Sequence, residues 1–223
     1  MSRRTQIIGG GVLVVLVILA VGLILFREPQ AATEPAVAVP LDAPAGATVL
    51  VIDPAQSEAR FTLDEELRGQ PKTVVGTTNQ VSGQIAFDLN NPAGAQLGTI
   101  QVNARTLATD SEFRNRAIKN EILQSDTYEF VTFTPTALSG LPASAAVGDT
   151  ITFQVTGDLT VRDVTRPATF DVTVTLAAEN QLTGSATTTI QRADYNLVIP
   201  NVPGVANVSE EVTLAIDFVA SAP

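Results

Sequence analysis

Serines, carboxylates and one short run of cations carry whatever chemistry this chain can do. It has no His and no Cys. That removes thiolate nucleophiles, Ser-His-Asp triads and the usual ligands of zinc, copper and haem. A carboxylate-only site for a hard cation stays open. Ser57, Ser111 and Ser125 are the serines one would test as nucleophiles, but Lys119 is the only Lys near them in sequence. General-base support is therefore poor. Asp64-Glu65-Glu66 offers paired carboxylates of the hydrolase kind, although a polar turn accounts for them better. Arg114, Arg116 and Lys119 form the densest basic group of an otherwise acidic region. Arg binds a phosphate-type head group bidentately; a solvated helix face is the ordinary alternative. Arg192 stands two residues before Asp194 and either holds a head group or pairs with that carboxylate. Asn207-Val208-Ser209 matches a glycosylation sequon, a motif short enough to occur by chance. No catalytic residue, metal or cofactor is expected.

The elements that position these residues read mostly as strands. From Thr150 to Leu176 two arms alternate. Ile151, Phe153, Val155, Gly157, Leu159 and Val161 share one parity, and Thr152, Gln154, Thr156, Asp158, Thr160 and Arg162 the other. Phe170, Val172, Val174 and Leu176 repeat the apolar row. Period-two alternation predicts a hairpin with one apolar and one wet face. Pro167 belongs at its turn or at a strand entry, having no N–H for a ladder. Further strands are predicted at 48–52, 58–63, 72–81, 81–89, 98–104, 128–133, 183–190 and 212–218, with 64–69 a polar turn. One soluble helix is predicted within Leu107 to Leu123, capped at Thr109 or Asp110, with Phe113, Ala117, Ile118 and Ile122 as its apolar stripe. About eight strands with short connections and one inserted helix predict an all-β antiparallel fold. Alternation alone leaves a closed barrel and a two-sheet sandwich equally open.

The N-terminus is of another kind. Ile7 to Phe26 is an uncharged apolar run preceded by Arg3 and Arg4. Its length suits a single bilayer span, and the two Arg favour a cytoplasmic N-terminus. A cleaved signal peptide competes, but its apolar stretch is usually shorter. The expectation is a transmembrane anchor over 1–27, a Pro/Ala-rich linker over 28–47 that holds the domain clear of the head groups, and a folded domain over 48–223. The protein is then a single-pass cell-membrane protein with its C-terminal domain outside the cytoplasm. The formal net charge of −10 disfavours nucleic-acid binding.

Gly157-x-Leu159-Thr160-Val161 followed by Val164-Thr165-Arg166-Pro167 resembles the central signature of the YceI family, the polyisoprenoid-binding lipocalin-like proteins. Further landmarks occur in order. Ile52-Asp53-Pro54 with Ser57 and Phe61 resembles the opening element. Gly83 to Asp88 resembles the second hairpin. Thr109-Asp110, Arg114-Asn115 and Leu123-x-Ser125-Asp126-x-Tyr128, then Thr132-Phe133, resemble the helical segment and next strand. Arg192-x-Asp194-Tyr195 and Val208 to Phe218 resemble the close. Asp163 stands where the family commonly has Gly, and Asn115 and Tyr128 where many members have Asp and Phe.

The resemblance implies a lipocalin-like antiparallel β-barrel around an apolar pocket for a long isoprenoid chain. It implies pocket-lining roles for Phe61, Phe87, Phe113, Ile118, Phe133, Phe153, Phe170, Tyr195 and Phe218, with Arg114 and Arg192 at the ligand head group. Each apolar residue has packed core as its plain alternative. The implied partner is a polyprenyl-type lipid or isoprenoid quinone, sequestered or carried without a chemical step. A structural or interaction β-sandwich on a membrane stalk is the competing expectation.

Overall fold

A computed structural model describes residues 28–32, 36–44 and 46–223. The anchor expected over 1–27 lies outside the described residues. Among the described residues, no helix is long and apolar enough to cross a membrane.

The predicted alternation becomes strands β1 (Thr48–Ile52), β2 (Glu58–Leu67), β3 (Gln70–Thr78), β4 (Val81–Ser82), β5 (Gln84–Phe87), β6 (Gln96–Leu97) and β7 (Ile100–Asn103). After the helical insertion come β8 (Phe130–Ser139), β9 (Thr150–Val161), β10 (Val164–Ala178), β11 (Gln181–Gln191), β12 (Val205–Ala206) and β13 (Glu211–Ser221). They form one antiparallel sheet rather than the two facing sheets of a sandwich. Its order runs β4-β7-β8-β9-β10-β11-β13-β1-β5. Because Gly83 alone separates β4 from β5, the circuit returns on itself. Counted as continuous wall stretches, β1–β2, β3–β5, β7, β8, β9, β10, β11 and β13 make eight.

The ends differ. At the end where β10 turns into β11, inward side chains pack solidly: Leu50, Val155, Leu176 and Ala220 are each at most 1 % exposed. At the other end β3 is paired only to β2, apart from an isolated bridge between Thr77 and Ala108, and the wall is parted between β3 and β7. The fold is thus an antiparallel half-barrel of the lipocalin-like kind, closed at one end. The helical insertion crosses the parted end.

The hairpin β9–β10 is the longest ladder of the wall. Its outer face carries hydroxyl pairs in register: Thr150–Thr175 at 2.9 Å, Thr156–Thr169 at 3.0 Å and Thr160–Thr165 at 2.9 Å, with Gln154 donating to Asp171 at 2.9 Å. Such cross-strand pairs stabilise a two-faced hairpin in steps of a few tenths of a kcal/mol to about 1. The turn is tighter than expected. Val161 pairs Val164, so only Arg162 and Asp163 remain in it, and the left-handed residue is Arg162 (φ 59°), not Asp163. Pro167 lies inside β10, in a stretch paired to β9 but not yet to β11, whose ladder starts at Asp171.

Gly157 is where the wall cannot take a side chain. A Cβ there would stand 2.4 Å from the Thr134 carbonyl oxygen and 2.7 Å from the Phe133 ring. Backbone cannot yield as a flexible side chain does. Gly157→Ala is expected to lower the denaturation midpoint by the equivalent of about 2–3 kcal/mol; an unchanged midpoint would show that β8 can move aside.

One expectation needs correction. The segment 64–69 is not a turn: β2 continues through Asp64, Glu65 and Glu66 to Leu67, and only Arg68 (φ 53°) and Gly69 (φ 77°) turn. Within the segment expected as a linker, the Gln30 amide donates to Asp126 (2.9 Å) and the Leu41 amide to the Gln84 side chain (2.7 Å).

Candidate functional site

The site starts from the inward parity of each wall strand at the parted end. On β2 that parity is Ala59, Phe61, Leu63, Glu65 and Leu67; on β13 it is Val212, Leu214 and Ile216. Val131 and Phe133 come from β8, Leu159 and Val161 from β9, Phe170 from β10 and Ile190 from β11. Together they surround a cavity of about 840 Å³. Apolar side chains facing a filled core are fully buried, as at the closed end. Here Phe61, Leu63, Ile190, Leu214 and Ile216 are only half-buried although they point inward. They face space rather than neighbours. Phe133 and Phe170, edge to face at 4.8 Å, pack beside the core and separate the two regions. Gly76 leaves room for the Phe61 ring, which a Cβ would meet at 2.2 Å.

Two segments cover the opening. The first is helix α1 (Glu112–Ala117), continued by a π-helical turn at Ile118–Ile122. Its N-cap is Ser111, whose hydroxyl accepts from the Arg114 amide at 3.4 Å, rather than Thr109 or Asp110. Thr109 is engaged elsewhere: its amide and hydroxyl both donate to the buried Asn115 side chain, at 2.7 and 2.8 Å. Phe113, Ala117, Ile118 and Ile122 line the cavity. Arg162 ties the far end down, donating to the Ile122 carbonyl (3.2 Å) with its guanidinium 5.9 Å from the Tyr128 ring centre. The second cover is the loop from Leu197 to Pro203, rich in Val, Ile and Pro. Arg192 fastens it by donating to the carbonyls of Leu197 (2.8 Å) and Ser209 (3.2 Å) and to Glu210 (2.5 Å). Its acidic partner is Glu210, not Asp194.

A buried ion pair stands in this apolar rim. Arg114 donates to Glu65 at 2.7 Å, and the Glu65 side chain is 6 % exposed. Arg114 also pairs with Asp110, which Lys72 contacts at 2.6 Å. The Lys72 hydrogen bond foremost, with Arg114 beside it, holds the Asp110 carboxyl below the usual 3.8. The pairs thus clamp α1 to β2 and β3 and bring an anion-binding guanidinium to the mouth.

The expected site residues divide by depth in the barrel. Phe61, Phe113, Ile118, Phe133, Phe170, Arg114 and Arg192 are brought together round the cavity. Phe87, Phe153, Tyr195 and Phe218 are not among its lining. Phe87, Phe153 and Phe218 pack with the core nearer the closed end, and Tyr195 is a fully buried member of the core cluster. Parity alone cannot tell the two regions apart, since both halves of a strand point inward. Arg116 and Lys119 do not reach the cavity. Ser57 accepts from the Val219 amide (3.1 Å) and Ser111 caps α1, both structural roles. Glu65 was missed. The signal for it was present: it shares the apolar parity of Phe61, Leu63 and Leu67.

Three comparisons bear on this architecture. The family model described as "YceI-like domain" matches residues 50–220. A UPF0312 protein of Shewanella sp. strain ANA-3 is 27 % identical over 183 residues, covering 78 % of this chain and 89 % of its own; its counterpart in strain MR-7 matches equally. Among solved structures, BcnA of Burkholderia cenocepacia superposes with a TM-score of 0.59 at 22 % identity, covering 76 % of this chain and 99 % of that one. A domain of Saccharophagus degradans described as polyisoprenoid binding superposes at 0.61 with 16 % identity, covering 79 % and 99 %. At these identities the superpositions speak to the fold.

Proposed function

The chain belongs to the YceI-like domain family, and on that premise we propose that it is a membrane-anchored lipid-binding protein. It sequesters or carries a polyprenyl-type lipid or isoprenoid quinone in the cavity, outside the cytoplasm, with Ile7 to Phe26 as its anchor. The observation that carries this reading is the cavity itself: about 840 Å³, walled by apolar side chains left half-buried, with the buried Arg114–Glu65 pair at its mouth. That is the usual composition of a small-molecule site, mostly apolar with a few placed polar groups. The Saccharophagus degradans domain, named for polyisoprenoid binding, supports the same ligand class.

Binding is non-covalent in this reading. Each buried methylene contributes about 0.8 kcal/mol, whereas association costs roughly 4–15 kcal/mol. Only a long tail leaves a surplus, so the cavity retains long-chain amphiphiles and releases short ones. Arg114 meets an anionic or strongly polar head, and Glu65 and Asp110 hold that guanidinium in place. Tethering to the membrane that stores the lipid raises its effective concentration.

The test is extraction. Full-length protein purified in detergent is extracted with organic solvent and the extract analysed by mass spectrometry. One isoprenoid per chain, in excess over bulk phospholipid, is the expected result. An extract free of isoprenoid, from protein that also takes up none when incubated with polyprenyl lipid, would sink the proposal.

A further inference from the structure

The carrier reading leaves open which end of the barrel faces the bilayer, and the path of the N-terminal segment bears on that. We infer that the cavity mouth is a membrane-docking surface: the rim formed by Phe113 and the 197–203 loop seats in the head-group region of the membrane that holds the anchor. This rests on the anchor proposed above.

Three observations carry it. The first is where the chain leaves the barrel. The Gln30 amide is hydrogen-bonded to Asp126 at 2.9 Å, three positions after Leu123, a cavity-lining residue. The loop that bears Asp126 is itself fixed, since Arg105 donates to the carbonyls of Ser125 (2.8 Å) and Asp126 (3.0 Å). Farther along, the Leu41 amide donates to the Gln84 side chain and β1 begins at Thr48. Gln30, four residues after Phe26 in the sequence, therefore lies on the mouth side of the barrel.

The second observation is what the rim exposes. Among the described residues, the large apolar side chains left exposed are Val198 (74 %), Val37 (70 %), Val147 (50 %), Phe113 (47 %), Val39 and Val75. Val147 stands alone near the closed end, next to Gly148, whose amide donates to the Leu176 carbonyl, whereas Val198 and Phe113 sit on the two segments that cover the opening. Apolar side chains of this kind seat about 5–10 Å into the boundary between head groups and acyl chains. The third is charge. A chain of net charge −10 gains nothing from an anionic surface, so contact falls to the apolar rim, with the exposed turn residue Arg68 beside it to meet lipid phosphate. A mouth held there passes a long tail from bilayer to cavity without exposing it to water.

The chain's lack of cysteine makes single-site labelling clean. Val198→Cys and Glu179→Cys, the second in the β10–β11 turn at the closed end, would each carry an environment-sensitive fluorophore. Each full-length variant is placed singly in phosphatidylcholine nanodiscs with or without nitroxide-labelled acyl chains. Quenching at Val198 is expected to exceed that at Glu179 about fivefold or more, because twelve tilted residues of β9 hold the ends roughly 30 Å apart. Equal quenching, or more at Glu179, from chains that co-purify with the discs would overturn the docking while leaving the anchor standing. Val198 shielded from water yet unquenched would mean that protein covers the mouth, and also overturns it. Failure of the full chain to associate with discs would remove the anchor and the docking together. Isoprenoid extraction is independent of all three outcomes.

Discussion

Leu214→Asp is expected to lower affinity for a long-chain isoprenoid at least about a hundredfold while leaving the denaturation midpoint almost unchanged. Leu214 points from β13 into the cavity, opposite Phe61 in the β13–β2 ladder, and is only half-buried. In the empty protein a carboxylate there remains hydrated through the mouth. With a tail bound it is stripped of water against hydrocarbon and has no partner, a cost of several kcal/mol. A hundredfold corresponds to about 2.8 kcal/mol, well inside that cost. The control is Val155→Asp, in the solid half of the barrel at 1 % exposure. That carboxylate is desolvated whether or not lipid is present, and this variant is expected to unfold. Titration with a fluorescent polyprenyl probe, alongside urea denaturation, separates the two. Unchanged affinity in folded Leu214→Asp would place the lipid somewhere other than this cavity.

Arg114→Ala should destabilise the protein by about 2–4 kcal/mol, through the charge it leaves behind rather than the contact it removes. Glu65 is buried among apolar side chains and Arg114 is the ion-pair partner shown for it. Deleting one member of a buried pair costs more than the pair contributes, because the other stays desolvated. The double variant Glu65→Leu/Arg114→Leu removes both charges and should recover most of the midpoint. The two variants are therefore distinguishable from a generic loss of packing, which the second substitution would not repair. Ligand selectivity should part company with stability. The double variant keeps its hold on the tail but no longer distinguishes an isoprenoid with an anionic head from its neutral alcohol. If Arg114→Ala denatures like the wild type, the pair does not hold α1 to β2 as the geometry indicates.

Much of the wall was legible from residues alone because a strand writes its orientation with period two. Ile151 to Val161 and Phe170 to Leu176 point inward as their parity indicates. The helical stripe was legible too, since Phe113, Ala117, Ile118 and Ile122 do line the cavity. Other features were harder for identifiable reasons. Asp64-Glu65-Glu66 resembles a turn because three acids in a row usually sit in water; here Asp64 is exposed and Glu66 half-buried, while Glu65 takes a guanidinium from a helix 49 residues away. No local pattern encodes that partner. The hairpin turn put its left-handed backbone on Arg162 rather than Asp163, because the Val161–Val164 register leaves only two residues to reverse the chain. Arg192 found Glu210 instead of the nearer Asp194 because the loop it fastens returns beside it.

By itself the order of residues determined the strand faces, the single helical insertion, the family resemblance and the acidic surface, all of which depend on local period or composition. Only the tertiary structure decided which half of the inward row is core and which is cavity wall. Phe153 and Phe61 share a parity and a chemistry, and differ only in depth along a curved sheet. Depth depends on how far the circuit of strands closes, and that is set by pairings between residues far apart in the chain, such as Val81 with Val102 and Thr213 with Thr62. Where that circuit parts, between β3 and β7, hydrocarbon side chains are left facing space, and an arginine and a glutamate are brought together at its edge.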